Sequence, residues 1–141
     1  MTISPVIARL LHIRELQEEQ CRLELESALR AVQTLQAARG DAADRARRGR
    51  ELIRASGWSN EPVERLSGIV EEGIAVRLQG LLEADIAQAE QRAGMRRETY
   101  VAARIGRSQI GTLVKRVADG EARRQAAMHQ FDLDEWFRSR R

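Results

Sequence analysis

The sequence predicts an all-α protein: two long helices folded into one antiparallel coiled-coil hairpin, the second helix the longer. Three observations carry that expectation. Only two prolines occur in 141 residues, and each follows a natural helix-capping residue by one or two positions. Apolar residues recur every three or four positions, with no alternating run of the kind a half-buried strand needs. Aromatic residues make up only 4% of the chain while charged residues reach 32%, and much of the apolar share is Ala. That composition lacks the large side chains of a thick core and suits long, paired helices. High charge also fits a disordered chain. Against that, strong helix formers dominate and apolar positions persist from end to end.

The first helix is expected over about 5–56. Ser4 is placed to cap it and Pro5 to open its first turn. Its stripe runs Val6, Leu10, Ile13, Leu16, then Leu25, Ala28, Val32, Leu35, Ala42, Ala46 and Ile53. The segment "ASGWSNEPVERL" breaks the pattern and predicts a turn over about 57–61. Gly57 suits a left-handed helix terminus, and Ser59 or Asn60 suits the next N-cap ahead of Pro62. The second helix is expected over about 62–138. Its stripe runs Val63, Leu66, Val70, Ile74, Leu78, Leu81 and Leu82, and continues through Ile86, Ala89, Ala93, Tyr100, Ile110, Val114, Val117, Met128 and Phe131. Arg39 and Arg107 fall in core phases, so the repeat drifts. Gly106, Gly111 and Gly120 each weaken the helix by roughly 1 kcal/mol relative to Ala, which predicts a bend or fraying there. The three segments are expected to form a single helical hairpin over 1–141.

Charge gives an independent test of the pairing. Folding the chain about residue 59 sets the acidic stretch 15–26 opposite the basic stretch 92–104. It also sets the basic stretch 45–54 opposite Glu61, Glu64, Glu71 and Glu72. Each exposed pair contributes only about 0–1 kcal/mol. Their joint pattern nevertheless selects register and orientation. In this register, residues from about Val114 onward have no mate on the first helix.

The same overhang holds Phe131, Trp136 and Phe137, three of the chain's five aromatic residues, with Leu133 and Arg138 among them. Large apolar side chains gathered at an unpaired end predict a partner-binding site at Phe131, Leu133, Trp136, Phe137 and Arg138. Folding back on the hairpin is the structural alternative. Trp58, in the turn, either caps the seam or makes a second contact at the opposite tip.

Chemistry is scarce. Cys21 is the only cysteine, which excludes an internal disulfide and a Cys-based zinc site and places the residue as a small apolar one near the seam. His12 and His129 sit on different helices with no second ligand at helical spacing. The acids of "DLDE" (132–135) read as a solvated helix end, since a hairpin offers no pocket to perturb them. No phosphate loop or nucleophile motif occurs. The expectation is a non-enzyme with no catalytic, metal or cofactor site. "MTISPVIARLLHIRELQEE" is interrupted by Arg9 and His12 and is not expected to act as a signal peptide. No apolar run of about 18 residues predicts a membrane span. Net charge is +3, and nearly every basic residue is Arg, with Lys115 the one Lys. The Arg clusters are interleaved with acids, so nucleic-acid binding ranks below a protein-binding role.

Two stretches bear a family resemblance. "LLHIRELQEEQCRLELESALRA" resembles the opening helix of the type III secretion stalk proteins, the YscO/SctO family with its flagellar counterpart FliJ, and "DLDEW" resembles their acidic C-terminus. Chain length, hairpin architecture and Arg/Glu/Gln content agree along the whole chain. The resemblance implies a bacterial cytoplasmic protein, peripheral to the inner-membrane export apparatus and shaped like the central stalk of a rotary ATPase. It implies three kinds of partner: a hexameric secretion ATPase, an export gate protein and export chaperones. The paired ends, the region of Val6 to Ile13 with Ile110 to Phe137, would meet the ATPase, and the turn around Trp58 would approach the gate. The second-helix glycines depart from the family pattern and bear on how deeply the end would insert. A general coiled-coil scaffold or adaptor is the alternative.

Overall fold

The computed structural model describes residues 4–59 and 61–140; the side chains of Trp58 and Ser59 lie outside the description. Two helices, α1 (Pro5–Ser59) and α2 (Pro62–Ser139), pack against each other as an antiparallel hairpin, the second longer. The α1 start is as the sequence predicts. The Ser4 side-chain oxygen accepts from the Val6 N–H at 3.3 Å, and its carbonyl accepts from the Ala8 N–H at 3.1 Å. The α1 end is not. Helix continues through Gly57 to Ser59, and the left-handed stop expected at Gly57 does not form. Pro62 does open α2, with the Glu61 carbonyl accepting from the Arg65 N–H at 3.4 Å. The cap expected at Asn60 lies outside the described residues. The second helix is continuous across Gly106, Gly111 and Gly120, so no fraying occurs there. The surrounding Leu, Lys, Arg and Ala residues are strong enough helix formers to offset three isolated glycines.

The chain divides into two units. The turn unit, Leu23–Glu98, holds the parts of both helices nearest the connection. Its buried residues are almost all small or aliphatic. Val32, Ala89 and Ala93 form one cluster, flanked by Ala28, Leu29 and Leu35. Ala42, Ala46, Ala75, Leu82 and Ile86 continue the seam. At Gly49 and Gly68 the two backbones touch. A Cβ added to Gly49 would lie 2.8 Å from the Glu72 nitrogen and the Gly68 oxygen, and one added to Gly68 would lie 2.8 Å from the Gly49 oxygen. Only glycine fits such a contact, so these two positions set how closely the helices approach.

That contact also fixes the rotation of α2. The stripe expected to face α1 over 63–81 faces outward instead: Val63, Leu66, Val70, Ile74, Leu78 and Leu81 are exposed by 36–77%. Gly68, Ala75, Leu82 and Ile86 occupy the inner face. Small residues let the backbones close in, and the bulkier stripe would hold them apart.

The terminal unit comprises 1–22 and 99–141. None of its described residues is fully buried. Ile7, Leu11, Glu18 and Cys21 are half-buried on α1, as are Ala103, Arg107, Ile110, Val114 and Val117 on α2. Val6, Leu10, Ile13 and Leu16, expected on the seam, are exposed. The inward positions lie one residue further along, at Ile7 and Leu11, because the drifting repeat turns the helix face. Half-burial on α2 persists to Glu121, so the unpaired segment begins at Ala122 rather than near Val114.

Ion pairs cross between the helices in both units, and those of the turn unit fall within the expected blocks, whereas Arg107 lies beyond the expected basic stretch 92–104. Arg45 donates to Glu71 at 2.9 Å and Arg50 stands 3.8 Å from Glu72. Arg96 donates to Glu24 at 2.9 Å. In the terminal unit Arg107 pairs with Glu18, which gives a partner to the arginine that falls in a core phase. Arg39, the other such arginine, is exposed.

Candidate functional site

Every residue from Ala122 to Arg140 is exposed, and all of them but Arg140 are helical or end the helix at Ser139. The segment is held by local bonds. Gln130 donates its side-chain amide to Asp134 at 3.1 Å, one helical turn on. The Ser139 hydroxyl donates to the Trp136 carbonyl at 2.8 Å, which satisfies one of the last open acceptors of the helix. Arg138 stands in the last turn, where a cation favours the negative end of the helix dipole.

The five residues expected to bind a partner here divide between two faces. Leu133 and Phe137 are four apart, with Trp136 beside them on the same side. Phe131 precedes Leu133 by two positions, which turns it about 160° around the helix at 3.6 residues per turn. Arg138, seven residues after Phe131, shares its side. Phe131 is 60% exposed, Trp136 48% and Phe137 61%, so neither face folds back onto the hairpin.

On the Leu133 side the aromatics are organised. Trp136 and Phe137 meet edge to face, with ring centroids 5.1 Å apart and planes at 77°. The Arg140 guanidinium lies 4.2 Å from the Trp136 ring centroid. Ring pairs of this geometry contribute about 0.5–1.5 kcal/mol and an exposed cation over a ring about 0.5–1 kcal/mol. Together they hold Trp136 in one orientation ahead of any encounter, which lowers the ordering cost of binding. Arg140 was not among the expected site residues. Its spacing of four from Trp136 was the available signal.

Trp58, the expected contact at the other tip, has its side chain outside the described residues. Among the described residues, no group of three or more His, Cys, Asp or Glu side chains comes together to hold a metal ion. No described helix is long and apolar enough to cross a membrane. Comparison with known proteins finds no matching family model, no matching curated protein and no matching solved structure.

Proposed function

We propose that this chain is a stalk-type coupling component of a type III protein export apparatus. It links a hexameric secretion ATPase to the export gate, binds export chaperones and catalyses no reaction itself. It works in the bacterial cytoplasm, peripheral to the inner membrane. The observation that supports this reading is the helix end from Ala122 to Arg140, exposed throughout, with Phe131 on one side and Trp136 and Phe137 on the other. A flat partner surface engages one face of a helix. A socket that surrounds the helix, as the pore of a ring does, engages both. The resemblance of the opening helix and of "DLDEW" to the secretion stalk proteins points to the same kind of partner.

Coupling of this kind needs no chemistry in the stalk. It needs a stiff element that binds some states of the ring more tightly than others, so that nucleotide-driven changes in the ring move it. The turn, with Trp58, is then the gate-facing end.

Photo-crosslinking from position 136 in native cytosol, followed by mass identification of the captured protein, tests the proposal. A hexameric secretion ATPase is the expected product. Capture of this chain alone, from its own hairpin, refutes the coupling role and leaves a coiled-coil scaffold. The double substitution Trp136→Ala, Phe137→Ala is expected to preserve helicity and abolish the capture from a probe placed at Leu133. A large loss of helicity would instead make the aromatic end part of the fold.

A further inference from the structure

We propose that the outward face of α2 between Val63 and Leu81 is a self-association surface that pairs two copies of this chain antiparallel about a two-fold axis at Glu72. This rests on the turn unit alone and is independent of the role assigned to the helix end.

The first ground is exposure. Val63, Leu66, Val70, Ile74, Leu78 and Leu81 form a continuous stripe, exposed by 77%, 63%, 51%, 51%, 36% and 63%. Ile69, Gly73 and Arg77 join Val70, Ile74, Leu78 and Leu81 in a shallow apolar groove of about 670 Å³ over the later part of it. Scattered exposed aliphatics are ordinary on a protein surface, but a contiguous stripe this long is an interaction surface. Side chains exposed to this degree leave on the order of 600 Å² of apolar area per chain. Two copies then bury roughly the 1,200 Å² at which specific interfaces begin.

The second ground selects the occupant. The intervals along the stripe are three, four, four, four and three residues. That series reads the same in both directions. Reversing a second copy about Glu72 therefore sets Val63 against Leu81, Leu66 against Leu78 and Val70 against Ile74, while Ile69 and Val76, exposed by 52% and 51%, lie to one side of the stripe and outside these pairs. A two-fold interface must be self-complementary in this sense, each residue meeting a mate that meets it in return. An unrelated partner would impose no such symmetry on the stripe.

The third ground is bulk. A Cβ added at Gly73 or Gly80 would meet nothing within 4 Å in the single chain, so neither glycine is needed for the hairpin's own packing. Both leave one flank of the stripe open to the approach of a second helix.

The test uses the full chain. Light scattering across a concentration series is expected to give the mass of two chains. Val70→Glu with Ile74→Glu is expected to reduce it to one, with helical circular dichroism unchanged because both side chains point to solvent. In a Cys21→Ser background, mixing Val63→Cys chains with Leu81→Cys chains is expected to give a disulfide-linked pair that neither chain gives alone. Any of three results overturns the proposal: a single-chain mass at every concentration, a two-chain mass that survives the double Glu substitution, or disulfides formed within each cysteine variant alone, which would mean parallel pairing. A stripe that captures another protein while the chain stays monomeric overturns it as well.

Discussion

The two units of the hairpin use the same helices in opposite ways. In the turn unit, glycine and alanine bring the backbones into contact and bury Val32, Leu82 and Ile86 along a narrow seam. In the terminal unit no described residue is fully buried, and the helices are joined by half-buried side chains and the Glu18–Arg107 pair. Among the described residues, full burial is confined to the turn unit. Ion pairs cross between the helices in both units, so the two differ in close packing and not in the presence of charge pairing.

Truncation of a buried aliphatic gives the largest test of that contrast. Ile86→Ala is expected to destabilise the hairpin by about 2–4 kcal/mol, through lost transfer energy and the cavity left behind. Leu16→Ala in the terminal unit, exposed by 56%, is expected to cost well under that. Chemical denaturation of both variants checks it, and equal losses would mean that the terminal seam is packed as tightly as the other.

A glycine pair sharpens the comparison through its sign. Gly49→Ala forces a Cβ to within 2.8 Å of the α2 backbone, and the resulting separation of the helices is expected to cost about 1–3 kcal/mol. Gly106→Ala meets only the Arg14 guanidinium at 3.8 Å, an ordinary contact, and is expected to stabilise by up to about 1 kcal/mol through helix propensity. Thermal unfolding midpoints that move in the same direction for both variants would remove the close backbone contact from the account.

Smaller effects are expected from the ion pairs. Arg107→Met removes the partner of Glu18, whose side chain is 17% exposed, and is expected to cost about 1 kcal/mol. Salt should weaken both proteins through their remaining ion pairs, and the wild type by the larger amount.

The smallest effect is at Glu19. Its hydrogen bond with Arg22, helped by the attraction of the guanidinium charge, holds the carboxyl below its ordinary 4.5. A depressed carboxylate contributes stability above the unfolded value and loses it as pH falls through the folded one. Carbon NMR of the Glu19 carboxyl is expected to show a midpoint below 4.5 that returns to it in Arg22→Gln.

Much of this was legible along the chain. Pro5, Pro62 and the three-four spacing determine two helices and a turn, because proline and apolar period act locally. The opposed charge blocks determine an antiparallel register, because charge acts over distances that tolerate a slip of a few residues. The exposed helix end follows from the arithmetic of unequal helices, though its start moved from Val114 to Ala122. Rotation about the helix axis was decided only in the tertiary structure. Two stripes competed for the inner face of α2, a bulky one through Val70 and Ile74 and a small one through Gly68 and Ala75. Hydrophobicity alone favours the first. The close contact of Gly49 with Gly68 favours the second, and packing at van der Waals range depends on the shapes of both helices at once. The same limit applies at the helix end, where the sequence places Phe131, Trp136 and Phe137 together and the helix carries them to opposite sides.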